Sequence, residues 1–142
     1  MIRPGRTLVL IGLMAVVSIL FTACSNPLSD DALQNDDGNV TVTVDWTGPE
    51  NGFVFDIALD THSVDLDGYD LSDLAILLLD NEIELRPETW DAGGGGHHRN
   101  GTLSFPARGD DGTAMEVEDL QTIELIVQDV AGIPERSFTW TV

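Results

Sequence analysis

The sequence predicts an all-β domain, an antiparallel β-sandwich of about seven strands preceded by a cleaved export signal. Three observations carry the prediction. Apolar residues alternate with polar ones in short runs between residues 39 and 142. Gly, Pro, Asn and Asp clusters separate the runs, and a helical 3.6-residue period is nearly absent.

The first run is Val40, Val42, Val44 and Trp46 against Thr41, Thr43 and Asp45, a half-buried strand. Thr47-Gly48-Pro49-Glu50-Asn51-Gly52 is turn chemistry. Phe53, Phe55, Ile57 and Leu59 then alternate with Asp56 and Asp60. The apolar run at 74–79 reads as a central strand or as one buried helical turn, and Asp80-Asn81 ends it. Ile83 and Leu85 mark a strand at 82–86, and Leu103 and Phe105 another at 102–105. Ile123, Leu125 and Val127 face one way in a strand at 122–128. Phe138, Trp140 and Val142 do the same at 137–142. Strands this short, with this turn spacing, suit an immunoglobulin-like sandwich without the usual cysteine pair.

Ahead of the domain stand Arg3 and Arg6 and an uncharged apolar stretch from Leu8 to Phe21. That stretch has the length of a signal-peptide apolar core and falls short of the roughly 20 residues a spanning helix needs. Residues 1–23 are therefore expected to be removed. The next residue, Cys24, is the only cysteine in the chain. It has no intramolecular disulfide partner, which in an exported protein demands another use for the thiol. Leu20-Phe21-Thr22-Ala23-Cys24 resembles the lipobox of bacterial lipoprotein precursors, with Phe21 in place of the usual Leu. The resemblance implies lipidation at Cys24, a palmitate-type acyl anchor, and an extracytoplasmic place in the cell envelope. Ser25 and Asn26 after the anchor resemble the residues of lipoproteins sent to an outer membrane, where the cell has one. Residues 24–38 read as the lipidated cysteine and a flexible acidic tether, and 39–142 as the sandwich. Such a tether would hold the domain about 20 Å from the bilayer on average.

The whole chain carries 25 acidic residues against six arginines, no lysine, and a net charge of −19. Loss of the signal leaves four arginines and a net charge of about −21. Such a surface repels phosphate backbones and anionic headgroups, which excludes nucleic acid as a partner. The plain reading of the charge is solubility in a salty medium; the sharper one is cation binding.

Two segments look overspecified for plain loops: Asp60 to Asp73, and Asp91 to Gly101 with the run Gly93–Gly96 inside it. Together they hold every histidine. If the strands alternate in direction, loops at 61–73, 87–101 and 129–136 share one pole of the sandwich. Three uses of that pole are open. His62, His97 and His98, with Asp60 or Asp65, form a candidate zinc or copper set, because neutral imidazole suits both ions. Adjacent His97 and His98 would have to bend out of regular strand geometry to share an ion. Asp65, Asp67, Asp70 and Asp73 form a candidate calcium loop, although Gly68 and the missing closing Glu depart from the EF-hand pattern. Tyr69, Trp90 and Arg99 are candidate anchors of a metal-free surface for an envelope protein or glycan.

Catalytic signatures are lacking: there is no nucleophile elbow, no P-loop and no dinucleotide fingerprint, and lipidation of Cys24 removes thiol chemistry. The expected activity is thus binding and not catalysis. The segments THSVDLD, GGGGHHRNG and IPERSFTW resemble uncharacterised secreted bacterial β-domains, which implies one domain over 39–142 and no particular ligand.

Overall fold

The computed structural model describes residues 31–109 and 111–142. The expected signal, Cys24 and the start of the expected tether lie outside the described residues. The described chain folds into an antiparallel β-sandwich of nine strands. They are β1 (Leu33–Asn35), β2 (Val40–Trp46), β3 (Val54–Thr61), β4 (Ala75–Leu79), β5 (Ile83–Leu85), β6 (Thr89–Ala92), β7 (His98–Ser104), β8 (Thr122–Val130) and β9 (Ile133–Thr141), with one turn of α-helix, α1 (Leu71–Leu74), before β4 and 3-10 turns at Pro49–Asn51 and Val117–Asp119.

One sheet runs β1-β2-β3-β7-β6 and the other β5-β4-β8-β9. Without β1, those orders are A-B-E-D and C′-C-F-G, the immunoglobulin-like arrangement. The chain changes sheet between β3 and β4, between β5 and β6, and between β7 and β8. The alternations predicted in β2, β3 and β8 keep their phase, whereas Ile83 of β5 is 41% exposed and Val142, past the end of β9, is 44% exposed. Val40, Val42, Val44, Phe55, Ile57 and Leu59 face inward against Leu77, Leu79, Ile123, Leu125, Val127 and Phe138, all at most 3% exposed. Burying each such side chain contributes roughly 1.5–3 kcal/mol over leaving it exposed. An aromatic cluster closes the lower half: Phe55 lies 5.4 Å from Trp140 and 5.8 Å from Phe105, and Trp46 lies 6.4 Å from Trp140, centroid to centroid. Trp46 also donates its Nε1–H to Gly52 O at 2.9 Å, pinning the turn that follows β2.

Four segments also differ from the sequence reading. Residues 33–38 are not tether: Leu33, Gln34 and Asn35 pair with Val44, Thr43 and Val42. Leu33 packs on the core there, so apolar burial extends the domain backward. The loop expected at 87–101 contains β6 and the first half of β7, with Trp90 opposite Leu103 and Asp91 opposite Thr102. The apolar run at 74–79 divides: Leu74 ends α1 and the strand begins at Ala75. The Asp70 carboxylate caps α1 by accepting from Ser72 N at 3.0 Å and Ser72 Oγ at 2.6 Å, which starts a helical turn there. The last strand begins at Ile133 and not at 137, because a two-residue turn at Ala131 and Gly132, both at positive φ, returns the chain at once.

Strand directions fix the poles. The 36–39 turn, the 62–70 loop, the 93–97 loop and the 131–132 turn lie at one end, as expected for the histidine-bearing loops. The turn after β2, the Asp80-Asn81-Glu82 turn and the 105–121 crossing lie at the other.

Candidate functional site

The histidine-bearing pole is built around two arginines and one carboxylate. Alternation on β7 puts Arg99, Gly101 and Leu103 in the inward phase and His98, Asn100 and Thr102 in the outward phase. Arg99 therefore points under the 62–70 loop and not into solvent. Its guanidinium donates to Tyr69 O at 2.5 Å, Leu66 O at 2.9 Å, Asp67 O at 3.3 Å and Gly93 O at 3.1 Å. The same group sits 5.9 Å from the Trp90 ring centroid, within cation–π range. One side chain thus ties the 62–70 loop, the 93–97 loop and β6 together.

Asp67 completes the tie from the other side. Its Oδ1 accepts from Gly95 N at 2.9 Å and Gly96 N at 3.1 Å. Those two amides, with a smaller contribution from the Arg99 charge, hold the Asp67 carboxyl below its ordinary value. Leu66, fully buried, fastens the loop to the core, and its N–H donates to Gly96 O at 2.9 Å. The glycine run is needed at one point above all. A Cβ on Gly95 would lie 1.8 Å from His98 O, whereas Gly93 has open space around it.

The second arginine, Arg136, is 1% exposed. It donates to Asn35 Oδ1 at 3.1 Å, Val130 O at 3.0 Å, Asp37 O at 2.8 Å and Val40 O at 3.4 Å. Burial lowers its pKa, and the nearby charge of Asp37 partly restores it. Beside it Tyr69 Oη accepts from Ala131 N at 3.1 Å, joining the 62–70 loop to the β8–β9 turn. Thr61, buried at the top of β3, donates its hydroxyl to Asn39 O at 2.5 Å and its N–H to His97 O at 2.9 Å.

The candidate residues fall into three groups. His97 Nδ1 lies 2.9 Å from Val64 O, while His98 Nδ1 lies 2.6 Å from Asp60 Oδ1 on the outer face of the sheet. The histidines share a pole but face different partners, and His62 is exposed. No group of three or more His, Cys, Asp or Glu among the described residues is arranged to hold a metal ion. Of the calcium set, Asp65 accepts from Asp67 N at 3.1 Å, Asp67 binds the glycine amides, and Asp70 caps α1. These carboxylates turn the backbone and do not converge with Asp73 on one point. Tyr69, Trp90 and Arg99 sit half-buried inside the pole as its braces. Trp90 Nε1 is buried without a hydrogen-bond partner.

Sequence reasoning missed the structural use of both arginines, although a signal was present. Extending the inward phase of Phe138 and Trp140 back by two residues reaches Arg136. The same step back from Leu103 and Gly101 reaches Arg99. A cation in the inward phase near a strand end has to find oxygen acceptors, and here it finds loop carbonyls.

Fold and site together define a class: an immunoglobulin-like sandwich that presents a cross-braced, polar set of loops at one end. No family model matches the chain, and no curated protein and no solved structure is significantly similar to it.

Proposed function

We propose that this chain is a lipid-anchored, extracytoplasmic binding module whose loop-bearing pole recognises a protein with a basic surface. The observation that carries the proposal is the brace made by Arg99 and Asp67. Loops held by six hydrogen bonds from these two side chains lose little further freedom on binding, which favours affinity. The acidic residues of that pole, among them Asp36, Asp60, Asp65, Asp67, Asp70 and Asp129, support a cationic complement. Tyr69 and Trp90 are spent on packing, so the aromatic platform that a glycan site uses is not offered there. The anchor belongs to Cys24 and places the domain in the cell envelope, outside the cytoplasm.

The test is site-specific photo-crosslinking in the native envelope from positions 62 and 97, with position 121 at the other pole as control. A protein captured from the first two positions, lost on Arg99→Ala and weakened by salt, is the expected result. Equal capture from all three positions overturns it. Calorimetric titration of residues 25–142 with zinc or copper decides the metal alternative. Binding that disappears when His97 and His98 become Ala would move the assignment to a metal site.

A further inference from the structure

We infer that the anchored domain stands with its loop-bearing pole away from the bilayer, so that its partner is met from the aqueous side. The inference rests on the lipid-anchor reading and goes beyond it through the direction of β1. Leu33 lies opposite Val44, and the strand climbs to Asn35 opposite Val42, with the 36–39 turn and Val40 at the loop-bearing end. Followed backward, the chain leaves β1 heading for the opposite pole. That exit is clamped: Leu33 packs on the core and the Asn35 side chain accepts from Arg136 Nε at 3.1 Å, so β1 does not lend its length to the tether.

The nine steps of chain from Cys24 to Leu33 reach at most about 30 Å. The four residues of β2 between the level of Leu33 and Val40 already rise roughly 14 Å, and the 62–70 and 93–97 loops stand beyond Val40. Laying the loops on the membrane requires the connecting chain to double back along the sheet edge and spend more than half its reach. Presenting the opposite pole requires no reversal. The carboxylates of Glu50, Asp80 and Glu82 at that opposite pole repel anionic headgroups and leave the tether to set the gap.

The test uses the full acylated protein in phosphatidylethanolamine–phosphatidylglycerol vesicles doped with a nitroxide-headgroup lipid. Fluorophores are placed through Ser63→Cys at the loop pole and Gln121→Cys at the other, both at exposed side chains. The label at 121 is expected to be quenched about twofold more than that at 63, as a pole separation of roughly 25 Å implies. Equal or reversed quenching in a chain shown by mass spectrometry to be acylated at Cys24 overturns the orientation alone. A chain with no acyl group at Cys24 overturns the anchor and the orientation together. Inserting a 12-residue Gly/Ser segment after Asn26 should erase the contrast; a contrast that survives it refutes the tether as its cause.

Discussion

Replacing Arg136 tests how the pole is held. Its guanidinium is 1% exposed and satisfies four acceptors, two of them the carbonyls of the fully buried Val40 and Val130. Arg136→Met keeps most of the volume but leaves those carbonyls without the cation. At about 1–3 kcal/mol for each buried acceptor left unpaired, the gross loss is roughly 2–6 kcal/mol. Relief from desolvating a buried charge offsets part of it. A net loss of about 3 kcal/mol is expected, which for a domain of this size lowers Tm by roughly 12–18 °C and the urea midpoint by about 2 M. Arg136→Ala adds a cavity and should cost about 1–2 kcal/mol more. Hydrogen exchange should accelerate first in 33–40, since Asn35, Asp37 and Val40 lose their common donor. If Arg136→Met melts within about 0.5 kcal/mol of the parent, the buried cation is not what closes β1 onto β9.

Gly101→Ala would set a Cβ 2.5 Å from Ala92 Cβ and 2.6 Å from Trp90 Cη2, so it should destabilise by about 1–3 kcal/mol and shift tryptophan emission. Leu66→Ala should cost about 2–4 kcal/mol in urea melts and loosen the 62–70 loop, because this fully buried side chain joins loop to core. The carboxyls of Asp67, Asp70, Asp80 and Asp111 are all held below the ordinary aspartate value, chiefly by amide or hydroxyl donors. A carboxyl whose folded-state pKa lies below the unfolded one contributes stability that is complete above the unfolded value and is lost as pH falls through the folded one. The contribution of these four carboxyls should therefore be level from neutral pH down to the ordinary aspartate range and be lost below it, and Asp67→Asn should remove its share of that loss in acid melts. An Asp67→Asn chain that loses stability in acid just as the parent does would contradict the donor geometry at Asp67.

The strands were legible where one face is buried and the other wet, because a period of two is then written directly into the residues. Val40 to Trp46 and Ile123 to Val127 are examples. Edge strands wrote less. β1 has a single apolar side chain, Leu33, in an acidic stretch, and only its pairing with β2 and the arginine beneath it make it a strand. β6 does alternate, with Trp90 and Ala92 inward, but Pro87 before it and four glycines after it resemble a loop. The pole was legible only in part from strand direction: counting reversals brings the 62–70 loop, the glycine run and the β8–β9 turn together, but it passes over β6, which runs the same way as β5 and starts at the opposite end with Thr89 beside Ser104. What periodicity does not encode is the partner of each side chain. His98 lies on the outer sheet face beside Asp60 because it begins β7, whereas a loop ending one residue later would have left it free beside His97.

The arginine cages also bear on the proposed recognition of a basic protein surface. Arg99 and Arg136 donate chiefly to carbonyls beneath the pole, while the carboxylates of Asp65, Asp67 and Asp70 stand exposed above them. Pairing an inward cation with a carboxylate would desolvate two charges, whereas carbonyl oxygens supply the negative ends of dipoles without a second ion. The sorting leaves the carboxylates outermost, so an approaching cationic surface meets them first, with the arginine charge behind them only partly offsetting theirs. Association driven by that field should slow by about tenfold or more between 20 and 300 mM salt, with a much smaller change in dissociation. Stopped-flow mixing with the crosslinked partner reads both rates. Neutralising Asp65 and Asp70 to Asn should reduce the on-rate and its salt slope together; an on-rate indifferent to both salt and these substitutions would refute electrostatic capture at this pole.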